Sequence, residues 1–455
     1  MVHRLPLSVC LPRGSAPAAR FPGFRIALAG VGLAVALTLP VSARAVSALP
    51  KGALNIRQAV RLGLKNHPDL LRARAKVAER KAGVRTATSG YKPRLYAEGI
   101  LRQGRQIGGK EEGQFTDDSE ARVVLREKLY DFGARSAKAR AARARREASR
   151  VALFDSRQKR VLDIRRRFYN VLLADREVQV WNEAMAVAYV RWDYGKGKKK
   201  LGEISPVELA RLNSRFRRLR SNYRGAQYDA RLARLRLAHA MGLEEAIPGN
   251  LVSPDLHLDR DLPPVEKLRD RAWRTNPQLI EARQRLDAAR AGISRRKAQR
   301  LPRFVGEVVA QRFARRSKFR NDLEAAIRLE APLYEGGRLG AKVDQARANA
   351  QQKRADWLGL RQQVEENIYD AYLNVKTWRE KRKYAQTLLK YRKLKTDLAR
   401  TQYILELETD LGNSLTSQTR AEKKLAQAKF GLAMAYDRLD ALVGEPLVPN
   451  AEGQQ

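Results

Sequence analysis

The sequence predicts a mixed α and β chain made of two copies of one unit, each a pair of β-strands set between long helices. Three observations predict it. Landmark residues recur in the same order at a near-constant offset. Short segments of alternating character stand at matching places in both copies. Helical stretches too long for a compact domain follow each of them.

The repeat is the first of these. Asn66-His67-Pro68-Asp69-Leu70 matches Thr275-Asn276-Pro277-Gln278-Leu279, so that Pro68 and Pro277 stand 209 residues apart. Lys92-Pro93-Arg94 matches Leu301-Pro302-Arg303 at the same offset, and Tyr130-Asp131-Phe132-Gly133 matches Tyr334-Glu335-Gly336-Gly337 at 204. The first unit is expected over residues 46–243 and the second over 264–444, with a tail at 445–455. Between the units, residues 244–263 carry Pro248, Gly249, Pro254 and Pro263 and read as a linker.

Within the first unit, residues 54–90 are Ala-rich with helical apolar spacing, and Pro93 blocks the helix. Strands are expected over about 95–103 and 120–129, with a polar, Gly-rich loop between. In the second strand Ala121, Val123, Leu125 and Leu129 fall on one face and Arg122, Arg126 and Lys128 on the other. The second unit repeats this over about 303–313 and 321–331. There Leu323, Ala325, Ile327 and Leu329 alternate with Glu324, Arg328 and Glu330. One apolar and one charged face over about ten residues is what a transmembrane barrel strand needs, with lipid on one side and water on the other. A single such strand fits an amphipathic strand of a soluble sheet equally well. Four of them beside very long helices favour the barrel.

The long helical stretches run over about 134–193 and 338–403. Sixty residues at ~1.5 Å each reach roughly 90 Å. The first is expected to break at Tyr194-Gly195-Lys196-Gly197, the second near Glu408-Thr409-Asp410. Ser205, Pro206 and Glu208 then make a capping box with proline at the first helical position. Returning helices over about 206–243 and 414–443 make each unit end in an antiparallel hairpin.

The N-terminus reads as a secretory signal over residues 1–45: four arginines without acids ahead of an apolar stretch from Ile26 to Leu39, and Ala43-Arg44-Ala45 as a small-x-small cleavage pattern, with Val46-Ser47-Ala48 a second candidate. Cys10, the only cysteine, would leave with it. The chain carries 91 Lys+Arg against 49 Asp+Glu, a formal net charge of +42, or +37 without those first residues and their five arginines. Such charge suggests nucleic acid. Here the cations are spread along helices among Ala, Leu and Gln, without interleaved stacking aromatics, so no nucleic-acid partner is expected. No later run is apolar enough for a spanning helix, which leaves closed barrel strands as the way across a membrane.

The Asn66-His67-Pro68 and Asn276-Pro277 helix openings, the Pro93 and Pro302 strand entries, the Tyr-Asp-Phe-Gly and Tyr-Glu-Gly-Gly turns, and Leu201-Gly202-Glu203-Ile204-Ser205-Pro206 together resemble the TolC family of outer-membrane efflux proteins. The resemblance covers essentially all of the chain after the leader. It implies a homotrimer whose protomers each give four strands to one transmembrane β-barrel in outer-membrane lipid, continuous with a long periplasmic α-helical barrel. It implies an outer-membrane channel, the exit duct of a tripartite efflux or type I secretion system. The partners would be a periplasmic adaptor and an inner-membrane pump of RND, ABC or MFS type. A soluble periplasmic coiled-coil adaptor or structural protein is the alternative.

No catalytic, metal or cofactor constellation stands out. His67, His239 and His257 have no ligand spacing, and no phosphate loop is present, so neither an enzyme nor a cofactor is expected. The hairpin tips carry the functional expectation: Gly202, Ser205 and Glu208 on the first, Tyr403, Glu408, Thr409 and Asp410 on the second, as gate and adaptor contact. A Glu208–Glu408 pair would repel, so the gate is expected to close differently from that of its relatives. Arg122, Arg126, Lys128 and Arg328 are expected to face the lumen and favour anions, against Glu307, Glu324 and Glu330.

Overall fold

The computed structural model describes residues 52–105, 115–243, 248–314, 321–405 and 410–448. The leader, Glu408 and Thr409 lie outside the described residues. The first half consists of α1 (Ile56–Asn66), α2 (Pro68–Thr88), β1 (Arg94–Ile100), short β2 (Gln103–Arg105) and β3 (Phe115–Asp117), β4 (Glu120–Tyr130), α3 (Ala134–Lys200) and α4 (Pro206–Ala240). The second consists of α5 (Val265–Thr275), α6 (Pro277–Ala298), β5 (Arg303–Phe313), β6 (Leu323–Glu330), α7 (Arg338–Ile404) and α8 (Leu411–Val443). Both α3 and α7 have 67 residues, which at ~1.5 Å per residue is about 100 Å.

The first helical stretch divides in two. His67 is extended (φ −65°, ψ 134°) before Pro68, as Asn276 is before Pro277. Proline disfavours the helical region for its predecessor and has no N–H to continue the ladder. Each break is recapped locally. His67 Nδ1 accepts from the Asp69 N–H at 3.2 Å; Asn276 Oδ1 accepts from Gln278 and Leu279 at 2.9 and 3.1 Å.

The long helix does not break at Gly195 and Gly197 but continues to Lys200. Gly195 is buried, and a Cβ there would lie 2.8 Å from Leu212 Cδ1. It serves close approach of α3 and α4 rather than termination. The stop comes at Gly202, at φ +75°. Its N–H bonds Lys199 O at 3.1 Å and the Glu203 N–H bonds Lys198 O at 2.9 Å, the paired bonds of a Schellman end.

Strands from both halves share one antiparallel sheet in the order β1-β4-β5-β6. The β4–β5 pairing, Arg122 opposite Gln311 and Leu125 opposite Val308, joins the halves. At one end of this sheet all four long strands meet helices. The chain enters α3 through Phe132 (φ 49°) and Gly133 (φ 88°), and α7 through Gly336 (φ 56°) and Gly337 (φ 78°). Both turns thus need two left-handed residues in succession, which glycine meets without a steric penalty.

The core lies where α1, α3, α4, α5, α7 and α8 surround residues 248–262. Phe168, Leu237, Met241, Ile368 and Leu432 are fully buried there, and Tyr169 stacks on Phe430 at 4.7 Å. Each such side chain contributes about 1.5–3 kcal/mol by leaving water. Alanines and glycines set the helix spacing: a Cβ on Gly431 would meet the Trp378 ring at 2.6 Å. The connecting segment is tied down. Leu54 and Leu251 form a parallel bridge, and Arg260 pairs with Asp440 while lying over the Tyr436 ring at 4.1 Å.

Candidate functional site

The sheet has two chemically distinct faces. Register aligns Leu95, Leu125, Val308 and Ala325 in one row, and Ala97, Val123, Ala310 and Leu323 in the next. Leu95, Leu323 and Ile327 are 70, 68 and 73 % exposed, and Val123, Leu125, Val308 and Leu329 are exposed as well. Leaving so many contiguous apolar side chains uncovered in water would be costly, so this face belongs against something apolar. Aromatic residues gather where strands meet helices. Tyr130 and Phe132 contact edge to face at 4.8 Å, Arg135 lies 4.8 Å over Tyr91, and Tyr334 is exposed. Rings with one polar end suit a membrane–water boundary.

The opposite face is ionic. Arg122 donates to Glu98 at 2.7 Å, Arg126 to Glu307 at 3.1 Å, and Arg303 to Glu330 at 2.5 Å. Arg328 stands 3.9 Å from Glu307, and Lys128 is opposite Val305. The expected cations thus share one face, as the alternation implied. That face carries Arg94, Arg122, Arg126, Lys128, Arg303 and Arg328 against Glu98, Glu120, Glu307, Glu324 and Glu330, so it is close to balanced.

At the far ends of the helices lie the hairpin tips. Ser205 Oγ accepts from the Glu208 N–H at 3.1 Å, capping α4. Glu208 receives Arg211 of its own helix at 2.7 Å, which holds the carboxyl below its usual range. It makes no bond to the second hairpin among the described residues. Tyr403 is exposed near the end of α7.

Asp410 does bridge the two hairpins. It caps α8 by accepting from the Asn413 N–H at 3.1 Å, and it pairs with Arg191 of α3. Gly412 allows that contact: a Cβ would lie 2.7 Å from Val187 Cγ1. Further along the same seam Lys423 of α8 pairs with Glu177 of α3, which also receives Trp181 Nε1 at 2.8 Å. Sequence reasoning missed Arg191. Its partner is 219 residues away, and nothing local distinguishes it from other helix arginines.

Among the described residues no cluster of His, Cys, Asp or Glu is arranged to hold a metal, and no helix is long and apolar enough to cross a membrane. The sheet with its exposed apolar face is joined to helices of this length, and the family model for outer membrane efflux proteins matches residues 59–243 and 268–445. The chain belongs to the outer membrane efflux protein family. The family is one of transport ducts rather than enzymes, and membership sets the chain in the outer membrane with its helices extending into the periplasm. The fold agrees with solved channels. The Campylobacter jejuni CmeC outer membrane channel superposes with a TM-score of 0.74 at 15% identity, over 86% of this chain and 85% of that one. The Vibrio cholerae outer membrane protein VceC gives 0.70 at 15%, over 86% and 97%. Protein CyaE of Bordetella pertussis is 26% identical over 316 residues, 66% of this chain and 65% of that protein, so the match spans slightly less than two thirds of that relative.

Proposed function

We propose that this efflux-family chain is the exit duct of a tripartite efflux or type I secretion machine, carrying substrate passively from an inner-membrane pump to the exterior. One observation carries the reading. A four-stranded sheet, apolar on one face and ionic on the other, ends in two open edges, β1 and β6. In hydrocarbon each unpaired backbone group costs several kcal/mol, so the edges must find partners. Three copies pairing β6 of one with β1 of the next make a closed twelve-stranded barrel around the ionic face. The long helices continue it as a periplasmic tunnel, whose tips meet a periplasmic adaptor. In this reading Gly202, Ser205, Glu208, Tyr403, Glu408, Thr409 and Asp410 form the gate and adaptor surface. Arg122, Arg126, Lys128 and Arg328 line the lumen, where their glutamate partners leave only a weak anion preference. A soluble adaptor leaves the exposed apolar sheet face unexplained.

Cysteine cross-linking tests this. Within one sheet β1 and β6 are three strand spacings apart, about 14 Å, beyond the reach of a disulfide. Cysteine pairs, one in Leu95–Gly99 and one in Leu323–Ile327 of the same chain, with Cys10 replaced by serine, are expected to give oxidised trimers at one register. Monomers at every register would refute barrel closure.

A further inference from the structure

The chain's excess charge is not spread evenly. Residues 80–92, 134–150, 290–300 and 338–354 are the helix segments that meet the sheet. They hold twenty-one Lys+Arg against two acids, Glu147 and Asp344. All four lie at the same end of the sheet, because β1 and β5 begin there and β4 and β6 finish there. Acids just outside these segments answer a few of the cations: Asp131 pairs with Arg135, Glu335 with Arg338, Asp287 with Arg290 and Asp356 with Lys353. Most are left over. Arg85, Lys92, Arg140, Lys297 and Arg300 are exposed and have no acid partner among the described residues.

Two further details show the charge to be uncompensated rather than merely solvated. Burial pulls the Arg295 guanidinium below its ordinary value, and the neighbouring Arg296 and Arg145 add to this. Arg146 Nε is buried without any hydrogen-bond acceptor. A like-charged group held between packed helices needs a counter-anion, and the described residues do not supply one.

Position decides what the anion is. Lys92 and Arg300 come three and four residues before Leu95 and Phe304, the first residues of the exposed apolar face. That face sets the level of the hydrocarbon. Headgroups occupy roughly 5–8 Å beyond it on each side, about one and a half helical turns, and long Lys and Arg side chains reach toward them from further away. Guanidinium groups bind phosphate oxygens through paired hydrogen bonds. We infer that the sheet-proximal helix ends form a cationic collar that binds anionic phospholipid headgroups in the periplasmic leaflet of the outer membrane. The collar rests on the outer-membrane placement and adds a lipid ligand to it. A juxtamembrane basic cluster of this kind is attracted to anionic lipid over short range, screened by salt.

The test uses the full-length protein, purified in neutral detergent and exposed to phosphatidylglycerol or phosphatidylcholine at equal concentration, with retained lipid counted by native mass spectrometry. The expected result is at least fivefold more phosphatidylglycerol than phosphatidylcholine, a preference that shrinks as salt is raised from 0.05 to 0.5 M. The K92Q/R140Q/K297Q/R300Q variant is expected to lose most of the preference while keeping its assembly state and its conductance selectivity. Equal retention of the two lipids by the unaltered protein would overturn the collar and leave the duct reading standing. So would unchanged preference in the variant. If the variant instead shifts the reversal potential, the residues line the conduit and serve a soluble anion, and the lipid assignment is wrong. A chain found outside the membrane fraction would remove the duct reading itself. If the variant fails to assemble, the salt dependence of the unaltered protein still decides.

Discussion

Removing the pair between Arg191 and Asp410 should loosen the periplasmic entrance by an amount that can be worked out. The two side chains are 34 and 48 % exposed, so the pair counts as a surface ion pair worth about 0.5 kcal/mol. In the proposed trimer, three symmetric copies that part together sum to about 1.5 kcal/mol, roughly a tenfold change in the closed-to-open ratio. The substitutions must spare the cap. Asp410→Asn keeps an acceptor for the Asn413 N–H, because asparagine caps helices as well as aspartate. Arg191→Gln removes the same attraction from the other side. Each is expected to raise single-channel open probability in planar bilayers at 0.15 M salt about tenfold, and the double variant no further. At 1 M salt, where screening acts over about 3 Å, the unaltered channel should approach the variants. Additive effects in the double variant would refute the reasoning. So would a response to Arg191→Gln with none to Asp410→Asn.

Other outcomes follow from the same geometry. Burial first, then Arg160, lowers His67 below its ordinary 6.5. Its contribution is therefore complete above pH 6.5 and is lost as pH falls through the lower folded value, because only the unfolded chain readily takes the proton and the protonated ring can no longer accept from Asp69. His67→Asn, the residue used at the matching position 276, should flatten the fall in thermal stability below pH 6.5; an unchanged slope would exclude His67 as its source. Gly444 has φ +83°, and a Cβ there would lie 2.2 Å from Thr275 O. Gly444→Ala should cost about 2–3 kcal/mol in unfolding, and Gly444→Asn nearly as much, since asparagine relieves the backbone strain but not the clash. Glu307→Gln removes the acid that faces both Arg126 and Arg328 and should move the reversal potential toward anion selectivity; an unchanged reversal potential would mean that this face does not line the conduit.

What could be read from the sequence depended on how far each feature's cause lay along the chain. Strand alternation is a local, period-two property, and the observed strands Glu120–Tyr130 and Arg303–Phe313 lie where it placed them. The pairing of these two strands with each other is not local. It joins residues such as Arg126 and Glu307, 181 positions apart, and only the packed register reveals it. Gly195 shows how a local rule misleads. A glycine pair late in a helix suggests an end, yet this one faces Leu212 across the hairpin and keeps the helices close. The tip was legible as a place, through Ser205-Pro206 and the glycine at 202. The bond that crosses it was not, because nothing local pairs the tip residue Asp410 with Arg191, 219 positions away, which reads like any solvated arginine.

The two halves differ in a way that bears on which part moves. Where the backbone dictates, they agree: two left-handed residues before each long helix, and one extended capping residue before each proline. At the tips they diverge. The first hairpin is held by its own contacts: Trp192 stacks on Phe216 at 5.3 Å, Gly195 seats Leu212, and Lys196 pairs with Asp193 while lying over Trp192. Among the described residues the second hairpin reaches the first near its end through one exposed ion pair and the seat of Gly412 on Val187, and its next charged contacts lie more than two turns along α8, where Arg420 stands 5.9 Å over the Trp181 ring and Lys423 pairs with Glu177. Opening therefore costs least if α7 and α8 swing away from a fixed α3 and α4. Spin labels placed at Leu405 should separate between protomers when Arg191→Gln releases the pair, while labels at Leu201 hold their distance. Equal displacement at both positions would mean that the tips move as one body and that the Arg191–Asp410 pair is not the hinge's restraint.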